Sequence, residues 1–258
     1  MPEPLASLDG QVALVTGASR GIGRGVAVAL GQSGATVYVT GRSAVEKTAA
    51  LVDAAGGRGV AVQCDHRDDA AVAAVFARIA EEAGRLDVLV NNATAVPDLS
   101  LLFGDEPFWR LPVRLWDDLT TIGLRSHFVA AQHAVRIMLE QGRGLVVNIS
   151  SSGAATKIGI VPYGVVKAAV DHMTGEMASE LEGTGVVVLS LWPPPTRTEG
   201  MLADAGPDAN TAAWSSPEFT GRVIAALVSD LGLNTRSGKT LRVRDLAREL
   251  AVPDDATL

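Results

Sequence analysis

The sequence predicts an α/β fold, a doubly wound parallel sheet of about seven strands with helices on both faces, and three observations carry that expectation. Short apolar, β-branched runs alternate with amphipathic segments along most of the chain, the pattern of successive βαβ units. A glycine-rich turn, Thr16-Gly-Ala-Ser-Arg-Gly-Ile-Gly23, stands between the first apolar run and the first helical segment. The chain has 258 residues, 47% of them hydrophobic, which suits one large core. No repeat, low-complexity tract or linker marks a second domain, so residues 1–258 are expected to form a single domain with its core over about 9–243.

Gln11 to Thr16 reads as strand one, and Val26, Ala27 and Leu30 fall at helical spacing within the following segment, Ile22 to Leu30. Thr36 to Thr40 is strand-like and Ala44 to Ala55 helical. Gly59 to Gln63 is the third strand. Asp68 to Gly84 reads as a helix with Asp68 and Asp69 near its positive N-terminal end. Leu86 to Asn91 is the fourth strand, Leu115 to Gln141 one long helix, and Gly144 to Ile149 a buried fifth strand. A helix begins near Tyr163, Val186 to Leu191 forms strand six, Ser216 to Ser229 is helical, and Lys239 to Val243 is a short last strand. Two proline-rich passages, 95–114 and 193–216, interrupt the rhythm after strands four and six, and loops of that length are commonly functional. They are expected to flank one cleft. Trp109, Trp116, Trp192 and Trp214 lie in or beside them and together favour an apolar pocket.

Charge and composition exclude several functions. A net charge of −7 without any cluster of Lys and Arg lacks the footprint of a nucleic-acid binder. Cys64 is the only cysteine, so no intrachain disulfide forms and a reducing, cytoplasmic location is expected. There is no apolar run of membrane-spanning length, and the first residues do not read as a signal peptide. His66, His127, His133 and His172 share no metal-ligand spacing, and no metal site is predicted.

Two motifs carry chemistry. In the glycine turn, Gly17, Gly21 and Gly23 permit a tight bend and close approach to a pyrophosphate, with Ser19, Arg20 and Ile22 between them. Downstream, Tyr163-Gly-Val-Val-Lys167 places a phenol and an ammonium one helical turn apart on one face. A cation beside a phenol favours the phenolate. Bringing a tyrosine some 3 units down from its usual pKa needs about 4 kcal/mol of differential stabilisation. Ser150 and Ser151 follow the fifth strand, at the carboxyl end where open α/β sheets bind ligands.

The Gly-x-x-x-Gly-x-Gly turn with Tyr-x-x-x-Lys downstream resembles the short-chain dehydrogenase/reductase superfamily over nearly the whole chain, about Asp9 to Val243. Asp65 after strand three, Asn91-Asn92-Ala93 after strand four and Pro193 to Thr198 after strand six match as well. Phe108-Trp109, Trp116-Asp117-Asp118, Gly123-Leu124-Arg125, Leu191-Trp192-Pro193 and Asp245 to Arg248 look like the dehydrogenase/reductase member 1 branch.

The resemblance implies a Rossmann-like fold and an oxidoreductase that moves a hydride between a nicotinamide and a carbonyl or alcohol carbon of a small, apolar substrate. Tyr163 would be the general acid/base, Lys167 would hold the ribose and lower the tyrosine pKa, and Ser151 would orient the carbonyl, with Ser150 the alternative. Gly41 stands where NAD-dependent relatives carry an aspartate, and Arg42 and Arg20 suit a 2′-phosphate, so NADP is favoured over NAD. Asp65 should accept from the adenine, Asn92 and Ala93 pass the adenosine ribose, Pro193 belongs to the nicotinamide segment, and Thr198 reaches the carboxamide or a phosphate. Three departures stand out. Gly123 occupies the place of an asparagine that holds a relay water, Thr94 replaces a glycine, and Pro194 makes Pro193-Pro194-Pro195. Gly123 and the triple proline motivate an alternative, a non-catalytic NADP(H)-binding sensor or scaffold, and reduction of a ketoacyl or enoyl thioester stays open. By the same analogy the helices from Leu115 and from Tyr163 pair with their copies in a homodimer or homotetramer.

Overall fold

The computed structural model describes residues 7–95 and 106–256. Seven parallel strands, β1 (Val12–Val15), β2 (Thr36–Gly41), β3 (Arg58–Gln63), β4 (Val88–Asn91), β5 (Gly144–Ile149), β6 (Val186–Trp192) and β7 (Thr240–Arg242), form one sheet in the order β3-β2-β1-β4-β5-β6-β7. The order reverses between β1 and β4, and a ligand crevice opens at such a switch point, beyond the carboxyl ends of the strands. Register is set by apolar strands buried on both faces; Ala13, Leu14 and Val15 of β1 pair with Val88, Leu89 and Val90 of β4.

Helices cover both faces. On one side lie α1 (Gly21–Gln32), α2 (Val45–Ala54), α8 (Pro217–Val228) and α9 (Val243–Glu249), packed through Val26, Leu30, Val52, Phe219 and Val223. The other side holds α3 (Asp69–Ala83), α5 (Ser126–Gln141) and α6 (Val161–Glu180), with Val75, Phe76, Ile79, Ala130 and Met138 in its core. Each such fully buried large apolar side chain contributes roughly 1.5–3 kcal/mol of transfer free energy. The short α4 (Val113–Thr120) and α7 (Glu199–Ala205) stand at the carboxyl edge.

Four expectations are corrected. The helix read as Leu115 to Gln141 is α4, a π-helical turn over Thr121–Arg125, and α5; hydrophobic periodicity does not register one residue inserted into a turn. Residues 193–216, expected to be irregular, contain α7, too short to display a periodic face. The last third also holds α9, where only the strand before it was expected. Of the loop 95–114, residues 96–105 lie outside the described residues, and the rest makes a 3₁₀ turn at Phe108–Arg110 before α4 starts at Val113.

Candidate functional site

The glycine turn is held by side chains from β1 and β4. Thr16 Oγ1 donates to Val90 O and accepts from the backbone N–H of Asn92 (3.0 Å) and Ala93 (3.1 Å). Asn92 Nδ2 donates to Thr16 O and Gly17 O at 2.9 and 3.1 Å. Gly17 has φ +65°, and a Cβ there would lie 2.7 Å from Ala93 Cα, so both the conformation and the close approach demand glycine. Arg20, the residue before α1, is extended and its side chain does not cap the helix. The first N–H, that of Gly21, donates instead to the Glu199 carboxylate at 3.0 Å, and Arg24 pairs with the same carboxylate. An acidic side chain there shows that this helix end accepts an anion, as a pyrophosphate site requires. Thr198 caps α7 by accepting from Met201 N, and its methyl lies 3.5 Å from a Cβ built on Gly21.

At the edge of this turn Gly41 packs directly against Ser19 Oγ. The Arg20 and Arg42 side chains are exposed, and neither is paired with an acid among the described residues. Asp65 is half-buried; its Oδ1 accepts from Arg67 N at 3.0 Å, while Asp68 caps α3 through Ala70 N and Ala71 N. These residues suit a dinucleotide: a cradle without side chains, an anion-accepting helix end and two unpaired guanidiniums.

The second cluster lies across the switch point. β5 ends at Ile149. Ser150 is buried and its Oγ donates to Lys167 O, a brace between strand and helix. Ser151 Oγ accepts from Gly153 N at 3.1 Å, and the hydroxyl works against the burial that raises the Tyr163 phenol. Tyr163 and Lys167 fall in the first two turns of α6, and the Lys167 ammonium sits 5.8 Å from the phenol ring centroid. Lys167 is only 4% exposed and donates to Ile149 O at 2.9 Å. Ser151, Tyr163 and Lys167 are thus brought together, and Ser150 is turned away to another task.

The electrostatics differ from expectation. Burial raises the Tyr163 phenol above its usual pKa, and only its bond with Ser151 pulls the other way. Lys167 is pulled down to about 8 by burial, with Asp171 offsetting part of that. The expected lowering of Tyr163 by Lys167 is not present in this arrangement, because the ammonium is engaged by Ile149 O rather than by the phenol oxygen. The pair is assembled, and its proton is held.

Sequence reading missed the supporting network. Asp171, one turn beyond Lys167, accepts from Ser190 Oγ (2.6 Å) and Trp192 Nε1 (2.9 Å). Asn91 and Asn148 hydrogen-bond side by side at 3.0 Å, and Asn148 continues to Thr174. The available signal was the four-residue spacing Tyr163, Lys167, Asp171 and the polar Asn at the end of two apolar strands. A cavity of about 160 Å³ beside Tyr163 is lined by Gly153, Thr156, Ile158, Ile160 and Gly164. The four tryptophans do not line it: Trp109 and Trp116 are 72% and 42% exposed, and Trp192 is held by Asp171. Their proximity in sequence to the cleft loops did not bring them to one pocket.

The model of the short chain dehydrogenase family matches residues 11–208. Dehydrogenase/reductase SDR family member 1 of Mus musculus is 40% identical over 267 residues, covering 97% of this chain and 85% of the mouse protein. A 3-oxoacyl acyl-carrier-protein reductase of Staphylococcus aureus is 37% identical over 185 residues, 70% of this chain and 72% of its own. A Beutenbergia cavernae protein designated an NAD(P)-dependent gluconate 5-dehydrogenase, crystallised with NADP at low occupancy, superimposes with a TM-score of 0.80 at 31% identity over 93% of this chain and 97% of that one. The chain belongs to the short-chain dehydrogenase/reductase superfamily and to its member 1 branch, NAD(P)-dependent enzymes acting on alcohol and carbonyl groups.

Proposed function

We propose that this chain is an NADP(H)-dependent reductase of a small, apolar ketone or aldehyde, or catalyses the reverse oxidation of the alcohol, with Tyr163 as general acid/base. The observation that carries this reading is the placement of Tyr163 over a buried Lys167, 5.8 Å from ring centroid to ammonium, beside a largely apolar cavity that Tyr163 and Gly153 line at the carboxyl end of β5. A bound nicotinamide dinucleotide supplies or accepts the hydride. Ser151 and Tyr163 hold the substrate oxygen between them, and in reduction the raised phenol is a protonated acid at neutral pH that gives its proton to that oxygen. Lys167, still cationic at neutral pH, would hold the ribose.

Gly17, Ser19, Gly21, Ile22 and Gly23 would cradle the phosphates, Asp65 the adenine, Asn92 and Ala93 the adenosine ribose, and Pro193 and Thr198 the nicotinamide side. Arg20 and Arg42, exposed and without acidic partners among the described residues, support the 2′-phosphate. Phe128, Val161 and Val165 on α5 and α6 are 45–50% exposed, which fits pairing of these helices with a second copy. Among the described residues no helix is long and apolar enough to cross a membrane.

The test is dinucleotide oxidation by the purified protein with cyclohexanone, benzaldehyde, menadione and an acetoacetyl thioester, each with NADPH and with NADH. Turnover of a simple carbonyl with NADPH, at least about tenfold above NADH, is expected from loss of one charge-assisted contact. Turnover of the thioester alone would replace the substrate class, and equal use of NADH would remove the phosphate preference.

A further inference from the structure

Asp171 continues the four-residue row Tyr163, Lys167 along α6. Its carboxylate is half-buried and makes no ion pair among the described residues. Both oxygens are given instead to one strand end. Oδ1 accepts from Ser190 Oγ at 2.6 Å and Oδ2 from Trp192 Nε1 at 2.9 Å. β6 stops at Trp192, immediately before Pro193-Pro194-Pro195. The Arg242 guanidinium, from β7, lies 6.0 Å from the same indole ring. Trp192 is therefore fastened to α6 and flanked by β7 at the point where the chain leaves the sheet for the segment 193–216.

A neutral side chain could accept one of these donors without taking a charge out of water. A carboxylate accepts both, through charge-assisted hydrogen bonds roughly twice as strong as neutral ones. It also meets a second need. Lys167 is buried with a backbone carbonyl as its hydrogen-bond partner, and it makes no ion pair among the described residues. The titratable groups around that ammonium are Tyr163 and Asp171 on its own helix and His127 on α5, whose ring burial keeps neutral. Asp171 is the negative charge among them, and it opposes loss of the lysine proton. One side chain thus joins the helix of Tyr163 and Lys167 to the strand that leads into the nicotinamide segment, and sets an anion one turn from the buried cation.

We propose that Asp171 is a positioning residue: by holding Ser190 and Trp192 it fixes where the Pro193-Pro194-Pro195 segment begins relative to Tyr163 and Lys167. The proposal rests on the oxidoreductase reading, in which Pro193 belongs to the nicotinamide side. Reacting atoms must be held about 3–3.5 Å apart, and a misplacement of about 1 Å can cost roughly 10²-fold in rate. Three consecutive prolines make a stiff segment, since each fixes φ and lacks an N–H with which to pair to a neighbour. A stiff segment takes its direction from its anchor, and the anchor is the indole. The charge of Asp171 adds a separate effect: it keeps Lys167 cationic to higher pH.

Two variants divide the two effects. Trp192→Phe keeps an aromatic ring and removes the donor; Asp171→Asn keeps the shape and removes the charge. In the free protein the Trp192 indole N–H resonance is expected downfield, as for a bond to a carboxylate, and Asp171→Asn moves it upfield. With NADPH and the carbonyl turned over above, at about pH 6, each variant lowers kcat about tenfold while the calorimetric Kd for NADPH stays within about threefold. Only Asp171→Asn moves the alkaline limb of the kcat profile to lower pH, because Lys167 then gives up its proton more readily. Asp171→Glu, which keeps the charge on a longer stem, restores the limb. Wild-type kcat in both variants, even with a lowered melting temperature, would make Asp171 a structural brace and overturn the proposal, as would an indole resonance that Asp171→Asn leaves in place. If Asp171→Asn does not fold, wild-type kcat in Trp192→Phe alone overturns it. Tyr163→Phe separates the two levels: a dead Tyr163→Phe beside unaffected Asp171 and Trp192 variants removes the positioning role and leaves the oxidoreductase standing, while an active Tyr163→Phe removes the parent reading.

Discussion

The glycine turn and the tyrosine cluster sit on opposite sides of the same switch point and are built by opposite means. Around Gly17 to Gly23 side chains have been removed so that backbone N–H groups and a helix end face outward, and the turn is fastened from below by Thr16 and Asn92. Around Tyr163 polar side chains have been brought in: Asn91, Asn148, Lys167 and His127 are buried, with Asp171 half-buried beside them. A site made from backbone depends on shape. One made from buried side chains depends on which atoms are paired, and its proton affinities follow from packing.

That contrast sets the size of the expected effects. The largest belongs to the turn: Gly17→Val forces a β-branched side chain to φ +65° and against Ala93, and should abolish NADPH binding in a calorimetric titration. Binding at the wild-type level would show that the turn relaxes and that shape is not its requirement. At the rim, where charge rather than shape decides, Arg42→Asp should weaken NADPH by about 10–100-fold, as loss of a charge-assisted contact does, while leaving NADH little changed. Equal losses for both dinucleotides would place Arg42 elsewhere than at the phosphate.

Buried histidines on both sides, His127 by the tyrosine cluster and His66 against Thr40 of β2, should reveal themselves through pH. Burial pulls His127 down to about 3 and His66 to about 4, so both stay neutral in the fold over the range where the unfolded chain charges them, near 6.5. The unfolded state then binds more protons, so stability falls as pH drops below 6.5 and continues to fall until the folded values are reached. Urea unfolding between pH 6 and pH 5 should lose up to about 2.7 kcal/mol per pH unit, two protons' worth, and about half that slope in His127→Gln. An unchanged slope in the variant would mean that His127 is hydrated. The smallest effect belongs to the cavity: Ile158→Ala should change KM for a bulkier ketone by about tenfold or less with kcat retained.

The same contrast explains what could be read from the sequence. Strands β1 to β6 fall within one or two residues of their apolar runs; β1, β2, β4, β5 and β6 are largely buried and leave a continuous signal, while the half-exposed edge strand β3 is marked by its β-branched residues Val60 and Val62. The resemblance favoured Ser151 over Ser150, and the fold gives the physical reason: the Ser150 hydroxyl is spent on the Lys167 carbonyl, while Ser151 stands beside the phenol. The π turn at Gly123 was hidden because one inserted residue barely disturbs an apolar stripe. Lys167 was expected to lower the tyrosine on spacing alone, yet spacing places a charge without saying that Ile149 O holds it. Motifs name the groups, and burial sets their protonation.

The most direct test is Tyr163→Phe, followed by NADPH binding and NADPH oxidation on the same preparation. Unchanged binding with kcat reduced by about 10²–10⁴-fold, the usual worth of a general acid, is the predicted result. Turnover within a few-fold of the wild type would contradict it and take the phenol out of the chemistry.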